Sequence, residues 1–322
     1  MELIVKNPGE VTLKRRKKRE KENRKSIFEI YRSEKTMKDY FFYLNNFLLF
    51  VYDNGEPIQN DEIIELMTDI TEEDVEDYLS HLLYERKLKK TSVNKIMSAL
   101  KSLYNELEKY NIKNPLKHIK LFKTGRNLDN ILKVSFEDIK NILNTYKVSG
   151  EKEYRNTIIM NTLFYTGMRS QELLDLKYKN ILKRDEDYYI KIEKSKSGKE
   201  LFKPVHPILV TKLKEFKDYV KNMYNYSDEV MEDLYVFSSS YEKNTQLSYK
   251  ALYNIIQDMG KTVGLDISPH NIRHAIATEL SSNGADLLEI RDFLGHSDTR
   301  VTEIYINAKS LLDKKVISKI PE

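Results

Sequence analysis

Pro269-His270-Asn271-Ile272-Arg273-His274, followed by Leu294-Gly295-His296-Ser297 and then Tyr305, is the stretch on which the fold turns. It holds three of the chain's six histidines. His270 and His274 stand four apart, a spacing that a helical zinc site uses. The residue after His270 is Asn271, however, not the glutamate of a zinc-peptidase pattern, so no metal is expected. His270 and Arg273, three apart, share one helical face. An imidazole beside a guanidinium suits an anionic target. Arginine offers a planar two-donor fork to phosphate oxygens, and histidine adds a donor or a proton acceptor. Taken alone, His-x-x-Arg is common on surface helix turns, so its meaning rests on its surroundings.

Upstream, Thr166-Gly167-Met168-Arg169-Ser170-Gln171-Glu172-Leu173-Leu174-Asp175-Leu176 sets Arg169 at a helix start directly after a glycine. Tyr188-Tyr189-Ile190-Lys191-Ile192 alternates like a strand, Ser197-Gly198 signals a turn, and Leu201–Val205 reads as the return strand. That hairpin puts Lys196, within Ser195-Lys196-Ser197-Gly198, at its tip. In this order Arg169, Lys196, His270, Arg273, His296 and Tyr305 resemble the active-site series of the tyrosine recombinase (phage integrase and Xer) family. The separations, 26 positions from His270 to His296 and nine from His296 to Tyr305, fit the family too. Lys194 and Lys199 flank Lys196, which is preferred because Ser-Lys-Ser-Gly resembles the family's hairpin motif. Two residues past Tyr305 the family often has His, where this chain has Asn307.

The resemblance implies a chemistry. A phenol attacking a phosphodiester builds negative charge on the non-bridging oxygens. Without a metal, fixed cations and hydrogen-bond donors must meet that charge, and removing one such donor costs about 3 kcal/mol. By the resemblance, Arg169 and Arg273 hold those oxygens and His296 adds a hydrogen bond. His270 serves as general base, Lys196 protonates the departing 5′ oxygen, and Tyr305 forms a 3′-phosphotyrosyl link. The link conserves the bond energy, so neither ATP nor any other cofactor is needed. Glu172, one turn after Arg169, either buttresses it or forms an ordinary helix charge pair. His274 reads as structural, and Ser170 as a helix-start hydroxyl within reach of a phosphate.

Working towards the N-terminus, Met37, Tyr40, Phe41, Leu44, Phe47, Leu48 and Val51 form one apolar stripe on a helix starting near Ser33. Asn54-Gly55 and Pro57 stop it. Thr71 and Asp74 form a capping box for a second helix through Val75, Tyr78, Leu79, Leu82 and Leu83. Thr91 is expected to cap a third, whose inner face is Val93, Ile96, Met97, Leu100, Leu103, Tyr104 and Leu107, ending at Asn114-Pro115. The pattern of Thr36, Tyr40, Leu44 and Phe47 with the closing Asn114-Pro115 is similar to the family's core-binding domain. A basic connector follows, with Lys117, Lys120, Lys123 and Arg126 interleaved around Gly125 as candidate phosphate contacts. Ser135 then caps a helix carrying Ile139, Ile142 and Leu143, and another helix runs from about Tyr154 to Thr166.

The fold class expected is therefore mainly α with a small β-hairpin or sheet (α+β). A helical, SAM-like core-binding domain at 30–120 joins a tyrosine recombinase catalytic domain at 135–322 through a linker at 121–134. Residues 1–29 read as a basic tail. Its run Lys14-Arg15-Arg16-Lys17-Lys18-Arg19 is either a solvated tail or a phosphate-binding arm.

Composition excludes other classes. The absence of cysteine rules out disulfides, Cys-based zinc sites and a Cys nucleophile, and suits a reducing cytoplasm. No apolar run reaches the ~18–20 residues that span a bilayer. The reading is a site-specific recombinase of duplex DNA, cytoplasmic and associated with the nucleoid. By resemblance it acts as four protomers on synapsed sites, with a C-terminal segment, Leu311-Leu312 through Val316-Ile317, packing onto a neighbour or in cis. The rivals are a type IB topoisomerase-like enzyme with the same nucleophile and a non-catalytic DNA-binding regulator on the same fold.

Overall fold

The computed structural model describes residues 33–52, 63–124, 133–193 and 200–296, with 299, 302 and 303. The chain divides into two compact units, Met1–Arg126 and Asn127–Glu322.

The first unit is helical. Helix α1 (Glu34–Tyr52) opens where Ser33 Oγ accepts the Thr36 N–H at 3.2 Å, and it buries Met37, Leu44, Phe47 and Leu48. The stop signals at Asn54-Gly55 and Pro57 lie outside the described residues. A short helix, α2 (Ile63–Asp69), was not anticipated: seven residues are too few to show a periodicity. It contributes buried Met67, whose carbonyl accepts from the Tyr104 hydroxyl at 3.1 Å. Helix α3 (Glu72–Ser80) starts on the expected capping box, Thr71 with Asp74, and continues into a π turn over His81–Glu85.

Helix α4 (Lys90–Leu107) buries every residue of the expected inner face. Its N-cap is Lys89, so Thr91 lies inside the first turn rather than capping it. The chain leaves the helical path at left-handed Asn111 (φ 60°), ahead of Asn114-Pro115. The connector carrying the lysines begins packed on this unit. Leu116 is buried, Ile119 and Phe122 lie against the core, and the Asn94 side-chain amide pairs with the Phe122 backbone in both directions at 2.9 Å. Lys117, Lys120 and Lys123 point to solvent from this packed segment.

In the second unit, α5 (Phe136–Thr145) opens on the capping box of Ser135 with Asp138. Helix α6 (Glu151–Thr166) begins three residues before the expected Tyr154 and is buried almost all round over its last half. Helix α7 (Ser170–Leu174) follows, then an antiparallel three-stranded meander, β1 (Ile181–Arg184), β2 (Asp187–Ile192) and β3 (Leu201–Pro204). The sequence pattern reveals the β2–β3 pair but not β1, whose last three residues are exposed and lack alternation. Helices α8 (Pro207–Tyr224) and α9 (Asp228–Asp233) and the small β4 (Ser238–Ser240) and β5 (Thr245–Gln246) pair come next. The unit continues with α10 (Tyr249–Lys261), α11 (Pro269–Ser282) and α12 (Leu287–Leu294). The α6 helix is the hub: α5, α7, α8, α10 and α11 all pack on it. The architecture is thus mainly helical with small antiparallel sheets. Among the described residues, no helix is long and apolar enough to cross a membrane.

Candidate active site

Two helix C-termini create the site. Helix α6 ends at Gly167 (φ 56°) and α12 at Gly295 (φ 70°), both in the left-handed region that favours glycine. The ends are pressed together. A Cβ on Gly167 would stand 2.8 Å from Leu294 Cδ2, and one on Gly295 would stand 2.7 Å from Leu201 Cδ2. Helix C-termini expose carbonyls without helical partners and carry the negative end of the helix dipole. Cations collect there for that reason.

Arg273, buried on α11, donates Nη1 to Gly167 O at 2.6 Å and Nη2 to Leu294 O at 2.7 Å. Arg169 donates Nη2 to Gly295 O at 2.6 Å and Nη1 to Glu172 Oε1 at 2.7 Å. The other Glu172 oxygen accepts the Arg169 backbone N–H at 2.9 Å. Glu172 is buried, so it buttresses Arg169 through a bidentate link rather than serving as a solvated helix charge pair. The two arginines come from positions more than 100 residues apart and hold adjacent carbonyls of one corner.

The histidines line the same region. Ser268 caps α11 through a capping box with Asn271, which sets His270 in the first turn. The His270 and His274 rings meet edge to face, with centroids 4.0 Å apart. Desolvation, then the Arg273 charge, holds His270 below its ordinary value, and burial pushes His274 down to about 4, with His270 and Arg273 adding to it. His296 follows α12, and its Nδ1 lies 2.9 Å from the hydroxyl of buried Thr302. Burial, then the charges of Arg273, Arg169 and Lys203, push His296 down to about 3. All three imidazoles are therefore neutral at pH 7.

Lys203 was missed by the sequence reading. It is 1% exposed on β3, opposite Ile190 of β2, and donates to Thr166 O at 3.3 Å and to Phe293 O. Strand alternation carried the signal: Leu201, Lys203 and Val205 share a face, and it is the inner one, while Phe202 points out. Thr302 had no such signal.

Arg169, Glu172, His270, Arg273 and His296 thus gather in one place. Lys196, Tyr305 and Arg126 lie outside the described residues, as does the C-terminal segment from 311 to 317. Among the described residues, no group of three or more histidines or carboxylates is arranged to hold a metal ion.

Residues 133–311 match the Phage integrase family model, and residues 24–114 match Phage integrase, N-terminal SAM-like domain. Tyrosine recombinase XerC of Pediococcus pentosaceus is 31% identical over 280 residues, covering 85% of this chain and 87% of that protein. Among solved structures, the XerH site-specific recombinase bound to palindromic difH substrate in a post-cleavage complex superposes with a TM-score of 0.62 at 20% identity. That match covers 87% of this chain and 95% of the XerH chain. A lambda integrase tetramer bound to a Holliday junction gives 0.61 at 18% identity, covering 88% and 75%. With the family match spanning more than half of the sequence and a curated relative aligned along most of its length, this chain belongs to the phage integrase family of tyrosine recombinases, enzymes that cut and rejoin DNA in site-specific recombination.

Proposed function

We propose that the chain recombines specific duplex sites by forming a 3′-phosphotyrosyl bond through Tyr305, as an Xer-like resolvase or a mobile-element integrase. The observation that carries this reading is the convergence of Arg169 and Arg273 on the carbonyls of Gly167, Leu294 and Gly295. Two guanidiniums fixed side by side, with neutral His296 beside them, suit a phosphodiester that gains charge during attack. In the proposed step the Tyr305 oxygen bonds to phosphorus and the P–O5′ bond breaks. His270 takes the phenol proton, and Lys196 gives one to the leaving 5′ oxygen. A 5′ hydroxyl from a partner strand reverses the exchange. His270 is suited to its part because its lowered proton affinity keeps it neutral at pH 7.

In this reading the 30–120 unit is the core-binding domain, linked through 121–134 to the catalytic domain at 135–322. The exposed Lys117, Lys120 and Lys123, with Arg126, contact phosphates for affinity rather than sequence. Four protomers act on two synapsed duplexes, with the C-terminal segment exchanged between neighbours. The enzyme works in the cytoplasm at the nucleoid. The lambda integrase tetramer on a Holliday junction supports four-fold assembly.

The test is a library of duplexes with randomised arms, each nicked so that a released short strand traps the covalent adduct. Wild type should yield a denaturation-resistant protein–DNA band, and Tyr305→Phe none. No adduct from wild type, or an adduct surviving the substitution, sinks the mechanism. Relaxation of supercoils without strand exchange on paired captured sites supports the topoisomerase rival.

A further inference from the structure

The mechanism gives no part to Lys203, although it is the most deeply buried cation of the second unit's described residues. Its surroundings are specific. The ammonium lies 5.0 Å from the centroid of the Phe293 ring and donates to Thr166 O and Phe293 O. Thr166 precedes Gly167, and Phe293 precedes Leu294. Each carbonyl held by Lys203 is therefore the immediate neighbour of one held by Arg273. The β3 strand reaches the same corner through its Leu201 side chain, whose Cδ2 lies where any side chain on Gly295 would fall. Gly295 is in turn the residue whose carbonyl holds Arg169.

We infer that Lys203 is a positioning residue for the strand cut: by pinning the ends of α6 and α12, it fixes the Gly167, Leu294 and Gly295 carbonyls on which Arg273 and Arg169 hang. This rests on the reading of those arginines as the phosphate ligands. An apolar residue of similar volume packs such a corner at least as stably as a buried charge does, so a stabilising role alone gives little reason for a lysine here. A cation is suited to carbonyls at two helix C-termini, and its donors span both ends at once.

The charged groups facing the Lys203 ammonium are Arg273 from α11 and Arg169 and Glu172 at the start of α7, with the titratable but neutral His296 after α12. Burial, then the Arg273 charge, pushes Lys203 down to about 7. Its charge, and with it the stronger charge-assisted grip on the carbonyls, is thus present below pH 7 and lost above.

The experiment uses the full chain and the DNA captured on wild-type protein. Adduct formation is timed at saturating DNA from pH 6 to pH 8.5 for wild type, Lys203→Met and Lys203→Gln, alongside DNA affinity and a thermal melt. Lys203→Met should cleave about 10–100-fold more slowly at pH 6.5, the cost of slight misplacement, with its DNA Kd within about threefold of wild type. Because bound phosphate favours the charged ammonium, the wild-type rate should hold through pH 7 and decline on its alkaline side, and the variants should lack that limb. A variant cutting at the wild-type rate overturns the proposal. So does a slowed variant whose pH profile keeps the wild-type shape, which marks packing alone. Should neither variant fold, a wild-type profile without the limb overturns it and one with the limb supports it. A wild type that forms no adduct defeats the Tyr305 reading and this inference together. A cutting wild type with an equally fast Lys203→Met defeats this inference only.

Discussion

Arg273 and Lys203 hold consecutive carbonyls at the same two places: Gly167 and Leu294 for the arginine, Thr166 and Phe293 for the lysine. Two cations on neighbouring strand and helix thus clamp one pair of helix ends. Arg273 is therefore not an independent surface group, and its substitution should act on stability and cutting together.

Arg273→Lys keeps the charge but loses the fork. One amine cannot reproduce two planar donors aimed at separate carbonyls, so a buried acceptor is left unpaired. Unfolding free energy should drop by about 1–3 kcal/mol. Adduct formation should slow by about 100–1,000-fold. Urea melts and timed capture on the trapped duplex check both; a variant with wild-type cutting removes Arg273 from the reaction.

Glu172→Gln removes the carboxylate that accepts both the Arg169 side chain and its backbone N–H. Since the acid is buried and the arginine is not fully so, a loss of about 2 kcal/mol is expected, as for a charge-assisted hydrogen bond. Cutting should slow more than DNA affinity falls, because Arg169 loses its orientation and keeps its charge. An unchanged melt would show that the buttress contributes nothing.

Gly167→Ala places a methyl 2.8 Å from Leu294 Cδ2 on a backbone at φ 56°. The left-handed conformation costs a residue with a side chain about 1–2 kcal/mol before the clash is counted. The variant should melt earlier and cut poorly, since the Gly167 carbonyl carries Arg273. Gly264→Ala is the control: its φ is +75° but nothing lies within 4 Å, so it should share the backbone cost alone and keep its cutting rate.

The partly buried histidines set an acid limit. In the folded chain His274 and His296 titrate at about 4 and about 3, below the 6.5 of the free side chain. Between those values the unfolded chain binds protons that the folded one refuses, so stability falls as pH drops from 6.5 toward 4. Each ring is partly open to water, which holds its share to roughly 1 kcal/mol. Denaturation curves at pH 7 and 4.5 should show the loss, and His274→Phe should lessen it; equal curves for wild type and variant exclude the ring.

Duplex DNA should change the proton count. A phosphate beside Lys203, Arg169 and Arg273 favours the charged ammonium, so Lys203, at about 7 in the free protein, takes up protons when DNA binds. Calorimetry at pH 7.5 in buffers of different ionisation enthalpy measures that uptake. It should shrink in Lys203→Met, and identical heats in all buffers oppose the idea.

The long periodic helices were legible because burial repeats along them: every inner residue expected of α4 is buried. Its cap was not, because Lys89 adopts the extended cap conformation without any side-chain bond, which leaves no residue-type signal. The strand β1 was hidden by exposure, and α2 by shortness. At the site, Arg169, His270, Arg273 and His296 stood out in the sequence because their order resembles the family's series, and the structure brings them together, whereas what holds them was not legible. Carbonyls of Gly167, Leu294 and Gly295 are backbone groups, and the sequence does not label which of them a guanidinium will find. Lys203 was legible in principle, since alternation turns it inward, but a lysine between Phe202 and Pro204 reads first as a solvent-facing edge residue.

The carbonyl anchors also decide when the arginines lose their freedom. A mobile arginine gives up side-chain entropy worth about 1.5–2 kcal/mol when it is immobilised. Here the Arg273 and Arg169 side chains are already tied to the backbone of α6 and α12 before any nucleic acid arrives. That ordering is therefore charged to folding, and a phosphate entering the corner meets donors that need no search for their rotamers.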